Sequence, residues 1–136
     1  MTRKPIILFV DADRTARTMF DFRSSMLDVP HYIADSAEAA VAILEEHRVD
    51  VVVTDLIMPK YDGVDLIKCV REAEFTKNIP IVVFTVGGNP QKIADAVNAG
   101  ATDVIMKQVT STDKLVERVC TLTRESLVRE EGLARV

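Results

Sequence analysis

Apolar runs alternate with helix-like periods five times along this chain. The runs occupy residues 6–10, 32–34, 51–54, 81–85 and 104–106, and most are rich in Val and Ile without polar alternation. Continuous apolar strands of this kind belong to parallel sheets covered by helices on both faces, whereas a half-exposed antiparallel strand alternates. Between the runs, apolar positions recur with a period near 3.6 residues. A first helix beginning near Asp13 puts Ala16, Met19, Phe20, Arg23, Met26 and Leu27 on one stripe and ends before Pro30. Ser36 is a suitable N-cap for a second helix, whose Ala40, Val41, Ile43 and Leu44 face the core. A third is predicted over residues 64–75, and a fourth from Asn89-Pro90 to Gly100, with Pro at the first helical position. The last starts near Thr112-Asp113 and continues through Leu115, Val119 and Leu122 into Leu127 and beyond.

This order, with short connections and right-handed crossovers, predicts an α/β chain: a flavodoxin-like (βα)5 doubly wound sandwich whose five-stranded parallel sheet has the order 2-1-3-4-5. Its 136 residues suit one domain, with a core over about 5–125 and a C-terminal helix extension over about 126–136. No repeat, low-complexity tract or linker marks a second. Cys69 and Cys120 stand far apart, outside any Cys-x-x-Cys pattern, and read as reduced thiols on helices.

Composition removes several function classes. A net charge of −4 with scattered basic residues gives no electrostatic footprint for nucleic acid, and an absence of Trp leaves little for base stacking. No apolar stretch approaches the roughly 18 residues needed to span a bilayer, and the first residues lack the length and cleavage site of a secretory signal. The expectation is a cytoplasmic protein with no membrane partner.

In open α/β sheets ligands bind beyond the carboxyl ends of the strands. The residues following the strands are Asp11 and Asp13, then Asp55, then Lys107, with Thr85 ending the fourth run. Strands 1 and 3 are neighbours in the predicted order, so the carboxylates of Asp11 and Asp55 converge. Close carboxylates repel unless a cation sits between them, and oxygen-only ligation suits Mg2+. An aspartate beside bound Mg2+ can attack a phosphoryl donor while the metal and a lysine neutralise charge in a loose transition state.

Residues 51–63 read Val-Val-Val-Thr-Asp-Leu-Ile-Met-Pro-Lys-Tyr-Asp-Gly. This segment, with Asp11, Thr85 and Lys107 after their strands, resembles the CheY-like receiver domain of bacterial two-component response regulators over about residues 5–125. The resemblance implies Asp55 as phosphoacceptor, Thr85 as switch hydroxyl and Lys107 as the phosphoryl contact. It implies a metal site of Asp11, Asp55 and the backbone carbonyl of Ile57, with Asp13 either adding a ligand or capping the first helix. The partners it implies are a histidine kinase or phosphotransfer protein and an unidentified output protein, in a stand-alone or excised receiver. Signalling would pass through the fourth and fifth helices and fifth strand, a surface that also serves for homodimers.

The chain departs from the family pattern at four positions. Ala12 stands where the second of two adjacent acids is usual, which predicts weak Mg2+ binding. Val104 replaces an aromatic residue three before Lys107 and alters the output relay. Gln108 replaces Pro, removing the usual reason for a cis peptide and predicting a looser loop. Val86 replaces a small residue and narrows access to Asp55. Three other readings compete. A haloacid-dehalogenase-type phosphatase is suggested by the Asp11-x-Asp13-x-Thr15 pattern, but no further acidic pair follows Lys107. An FMN carrier would need a phosphate-cradling loop where this chain has acids. A pseudo-receiver, an interaction module independent of phosphorylation, is motivated by Ala12 and Val104.

Overall fold

The computed structural model describes residues 3–87 and 89–134, with side chains described to residue 125. Its elements are β1 (Ile7–Val10), α1 (Arg14–Met26), β2 (His31–Ala34), α2 (Ala37–Glu46), β3 (Val51–Thr54), α3 (Gly63–Glu72), β4 (Ile81–Thr85), α4 (Pro90–Ala99), β5 (Asp103–Met106) and α5 (Thr112–Ala134). All strand pairs are parallel and the sheet order is β2-β1-β3-β4-β5, as the sequence predicts.

The two sides of each strand feed two different cores, which explains the unbroken apolar runs. Leu8, Val10, Val52, Ile81 and Val83 pack with Ala40, Leu66, Ile67 and Val70 from α2 and α3. Ile7, Phe9, Val51, Val53, Val82 and Phe84 face the other way, onto Phe20 of α1 and Leu115, Val116 and Val119 of α5. The Phe9 and Phe20 rings stack with centroids 4.2 Å apart. Each buried aliphatic side chain contributes roughly 1.5–3 kcal/mol relative to exposure, so the sheet centre is the main source of stability.

The helix starts follow the capping chemistry: Ser36 accepts the Ala39 amide, Asn89 accepts the Gln91 amide ahead of Pro90, and Gly100 closes α4 at φ 118°. Two expectations need correction. The predicted α1 stripe is only partly in phase: Ala16 and Phe20 pack in the core as expected, but Met19, Met26 and Leu27 are exposed while Ser24 is buried. With one face against β1 and α5, only the i, i+4 line through Ala16, Phe20 and Ser24 reaches the core. Helix α3 stops at Glu72, short of the expected Phe75, which is 98% exposed. The Thr76 hydroxyl donates to Val70 O, and the Arg71 guanidinium donates to Lys77 O, Ile79 O and Gly100 O. The Thr76 hydroxyl thus takes a carbonyl that another helical turn would have used, while Arg71 ties the segment after the helix and the end of α4.

At the far edge of the core the Arg3 guanidinium pairs with both oxygens of Asp50, and Asp50 Oδ2 also accepts the Ile6 amide. Asp103 of β5 similarly holds Arg118 of α5. Of the expected C-terminal extension, residues 135–136 and the side chains of Arg129, Glu130 and Glu131 lie outside the described residues. Among the described residues no helix is long and apolar enough to cross a membrane.

Candidate functional site

The parallel register sets the site. Val10 is paired with Thr54, so the next residues, Asp11 and Asp55, emerge side by side from adjacent strands. Their backbones remain fastened to the sheet, because the Asp11 amide donates to Ala34 O and the Asp55 amide to Val10 O. Gly63 holds the other side of Asp55. A Cβ at Gly63 would collide with the Asp55 carbonyl oxygen and sit 2.8 Å from Leu56 Cα, so the Asp62-Gly63 turn exists to let α3 start against that backbone. Asp62 and Asp65 form a capping box at the same point.

Both carboxylates are buried, Asp11 at 1% exposure and Asp55 at 8%. Asp11 Oδ1 accepts the Asp13 amide, while Asp55 Oδ1 accepts the amides of Leu56 and Ile57. The remaining oxygen of each meets Lys107 Nζ, at 2.8 Å from Asp11 and 3.0 Å from Asp55. Burial works to depress the basicity of Lys107, but hydrogen bonds and charge from Asp11 and Asp55 outweigh it and hold the ammonium above its ordinary range. Two carboxylates against one ammonium leave the cluster with an excess negative charge, which suits a further cation. The carboxylates of Asp11 and Asp55 are hard oxygen ligands of the type that Mg2+ takes. They fit that ion with much of its coordination left to water.

Asp13 lies next to this cluster but its carboxylate accepts the amides of Thr15 and Ala16, capping α1. That engagement also removes the second acid on which the Asp-x-Asp-type phosphatase reading depends. Thr85 is fully buried at the end of β4, and its Oγ1 has no hydrogen-bond partner among the described residues. A buried hydroxyl without a partner is costly and rare, and this one stands at the same sheet edge as the two acids. Lys107 is joined to Thr85 through its backbone amide, 2.8 Å from Thr85 O.

The loop after Lys107 differs from expectation. All described peptides are trans, as Gln108 in place of Pro implies, yet the loop is tied: the Gln108 side-chain amide donates to Val86 O. Sequence reading missed this bond, and it missed Arg17, whose guanidinium donates to the carbonyls of Asp11 and Ala12 and braces the acidic loop. Arg17 sits one helical turn past Asp13, a spacing that could have drawn attention to it. The rim is apolar and open, with Ile57, Val86 and Val109 all half or more exposed. His31, which belongs to no motif, bridges Asp21 and Val29 O and packs edge-on to Phe20.

Comparison with known proteins agrees with this geometry. Residues 7–120 match the response regulator receiver domain family. The chain is 33% identical over 120 residues to two-component response regulator ORR3 of Oryza sativa subsp. japonica, covering 86% of this chain and 88% of that protein. It is 37% identical over 97 residues to ORR1 of Oryza sativa subsp. indica, covering 66% of this chain and 42% of that protein. The chain thus spans less than half the length of some curated relatives it matches. A response regulator receiver protein from Pseudomonas putida superposes with a TM-score of 0.78 at 26% identity, over 88% of this chain and 98% of that one. This chain belongs to the response regulator receiver domain family, the CheY-like phosphoacceptor modules of two-component signalling.

Proposed function

We propose that Asp55 accepts a phosphoryl group from the phosphohistidine of a histidine kinase or phosphotransfer protein, and that the modified chain switches a protein-interaction surface. The observation that carries this reading is two buried carboxylates sharing one lysine beside a buried hydroxyl that has no partner. A carboxylate oxygen of Asp55 attacks phosphorus, the donor's N–P bond breaks with its electron pair returning to the imidazole, and an acyl phosphate forms. Lys107 follows the developing charge onto the phosphoryl oxygens. Thr85 then donates its free hydroxyl to the new group, and nearly two added negative charges draw its loop inward. Mg2+, when bound by Asp11, Asp55 and the Ile57 carbonyl, supplies neutralisation of the equatorial oxygens. With Ala12 lacking a carboxylate and Asp13 engaged in capping, its binding is weak.

The exposed Met19 and Phe22 on α1, with the apolar rim at Ile57, Val86 and Val109, support docking of the phosphodonor on this side. The response passes through α4, β5 and α5, where Val104 stands in place of an aromatic relay, to an output protein or a second copy of the chain. The working location is the cytoplasm. Ala12 and the capping role of Asp13 also favour a second reading, a pseudo-receiver that binds its partner without phosphorylation.

Intact mass after incubation with a small phosphodonor, with and without Mg2+, separates the two. The expected result is a single Mg2+-dependent phosphoryl adduct, absent in Asp55→Asn, with a Mg2+ midpoint above that of receivers carrying two adjacent acids. No adduct from either a small donor or a cognate kinase would leave the pseudo-receiver.

A further inference from the structure

We infer that Gln108 is a positioning residue: its side-chain amide latches the loop after β4 to the loop after β5 and holds Thr85 in its resting place. The inference rests on the phosphoacceptor reading only for its consequence in signalling, since the latch itself belongs to the unmodified chain. Gln108 and Val86 each directly follow a site residue, Lys107 and Thr85, and are joined across 22 positions by the bond from Gln108 Nε2 to Val86 O. Two further contacts run alongside. The Lys107 amide donates to Thr85 O, extending the β4–β5 ladder by one bond. Gly87, at φ 92°, nests against Met106, where an added Cβ would lie 3.0 Å from the Met106 methyl and 4.0 Å from Gln108 Nε2.

Of these contacts only the Gln108 bond is made by a side-chain donor, and only it engages the carbonyl immediately beyond Thr85. Val86 is past the last paired residue of β4, so its carbonyl would otherwise turn to water. While the latch is closed, the chain on both sides of Thr85 is fixed: β4 before it, the Gln108 bond after it. The Thr85 hydroxyl is then held without a partner. A shift of Thr85 toward a phosphoryl group on Asp55 pulls Val86 with it and must open or drag this bond. The latch therefore biases the chain toward the resting arrangement, and a neutral hydrogen bond of ordinary strength sets that bias at about fivefold.

Four chains test this: wild type, Gln108→Met, which keeps length without a donor, Gln108→Glu, which replaces the donor by an acceptor, and Gln108→Lys, which restores a donor. The first readout is hydrogen–deuterium exchange in unphosphorylated protein. The peptide carrying Val86 and Gly87 should exchange about fivefold faster in the Met and Glu variants and return close to wild type in the Lys variant, with β1 and β3 peptides unchanged. The second is the rate of adduct formation from a small phosphodonor, expected to rise about fivefold in Gln108→Met because the shifted arrangement is more populated. Wild-type exchange in Gln108→Met overturns the latch. Faster exchange that Gln108→Lys fails to restore makes the residue a packing element and overturns it too. If no chain, wild type included, forms an adduct with either the small phosphodonor or a cognate kinase, the phosphoacceptor reading fails while the exchange data still decide the latch.

Discussion

Replacing Lys107 with Met removes the ammonium shared by two carboxylates while keeping an unbranched side chain. Lys107 Nζ lies 2.8 Å from Asp11 Oδ2 and 3.0 Å from Asp55 Oδ2. At an effective dielectric constant near 20, each contact carries roughly 6 kcal/mol of gross attraction. Against this stand several kcal/mol of lost hydration for each buried ion. The lysine's own share of that penalty is recovered on mutation, but the carboxylates' share is not. Both oxygens touch one nitrogen and so lie within about 6 Å of each other, leaving roughly 3 kcal/mol of unopposed repulsion at the same dielectric. The net expected loss is about 3 kcal/mol, the lower end of the range for breaking a buried pair. Urea unfolding followed by circular dichroism should show this as a lower midpoint with an unchanged slope. Removing one charge as well, in Asp11→Asn/Lys107→Met, should recover about 2 kcal/mol. Added Mg2+ should raise the midpoint of Lys107→Met more than that of wild type, because the acids are then free for it. A loss under about 1 kcal/mol in Lys107→Met, or a double variant no more stable than the single, would refute the reasoning.

Three further outcomes follow from other parts of the fold. Thr85→Val removes the unpartnered buried hydroxyl and should raise unphosphorylated stability by about 1 kcal/mol, read as a higher urea midpoint, while removing the phosphoryl contact. Burial acts to raise the Asp50 carboxyl, but the bonds from Arg3 and Ile6 and the charges of Arg3 and Arg48 outweigh it and hold it below its ordinary 3.8. The unfolded chain therefore binds that proton first as pH falls, so the stability due to Asp50 is present at neutral pH and lost on acidification below about 4. Asp50→Asn should cost about 1–2 kcal/mol at pH 7, and its deficit should shrink toward pH 3 in parallel urea titrations. Arg71→Lys keeps the charge but not the fork that serves Gly100 O, Lys77 O and Ile79 O together, and should lose about 2 kcal/mol in thermal unfolding. Arg71→Lys at wild-type stability would show that one donor suffices.

The parts of this protein legible in its sequence are those encoded by neighbours along the chain. Val51, Val52 and Val53 are apolar in succession because the strand is covered on both faces, and that pattern needs no tertiary knowledge. Asp11, Asp55 and Lys107 were legible for a related reason: a polar residue ending an apolar run falls at the sheet edge wherever the sheet order puts it. The phase of α1 was not, because Met19 and Phe20 are equally apolar and only the position of β1 and α5 decides which turns inward. The end of α3 was hidden likewise. Arg71 reads as an ordinary surface charge until Gly100, 29 residues later, brings its carbonyl. Gln108 looked like the loss of a rigid proline, and its bond to Val86 depends on a second loop that no local window contains.

The bonds that Lys107 makes to Asp11 and Asp55 span 96 and 52 residues. Contacts so distant in sequence exist only while β5 is docked on β4, and they carry the largest loop-closure cost in the site. Any opening that detaches β5 leaves Asp11 and Asp55 side by side without their lysine. Chemical competence therefore depends on the whole sheet being closed, although the two acids lie on strands at its centre.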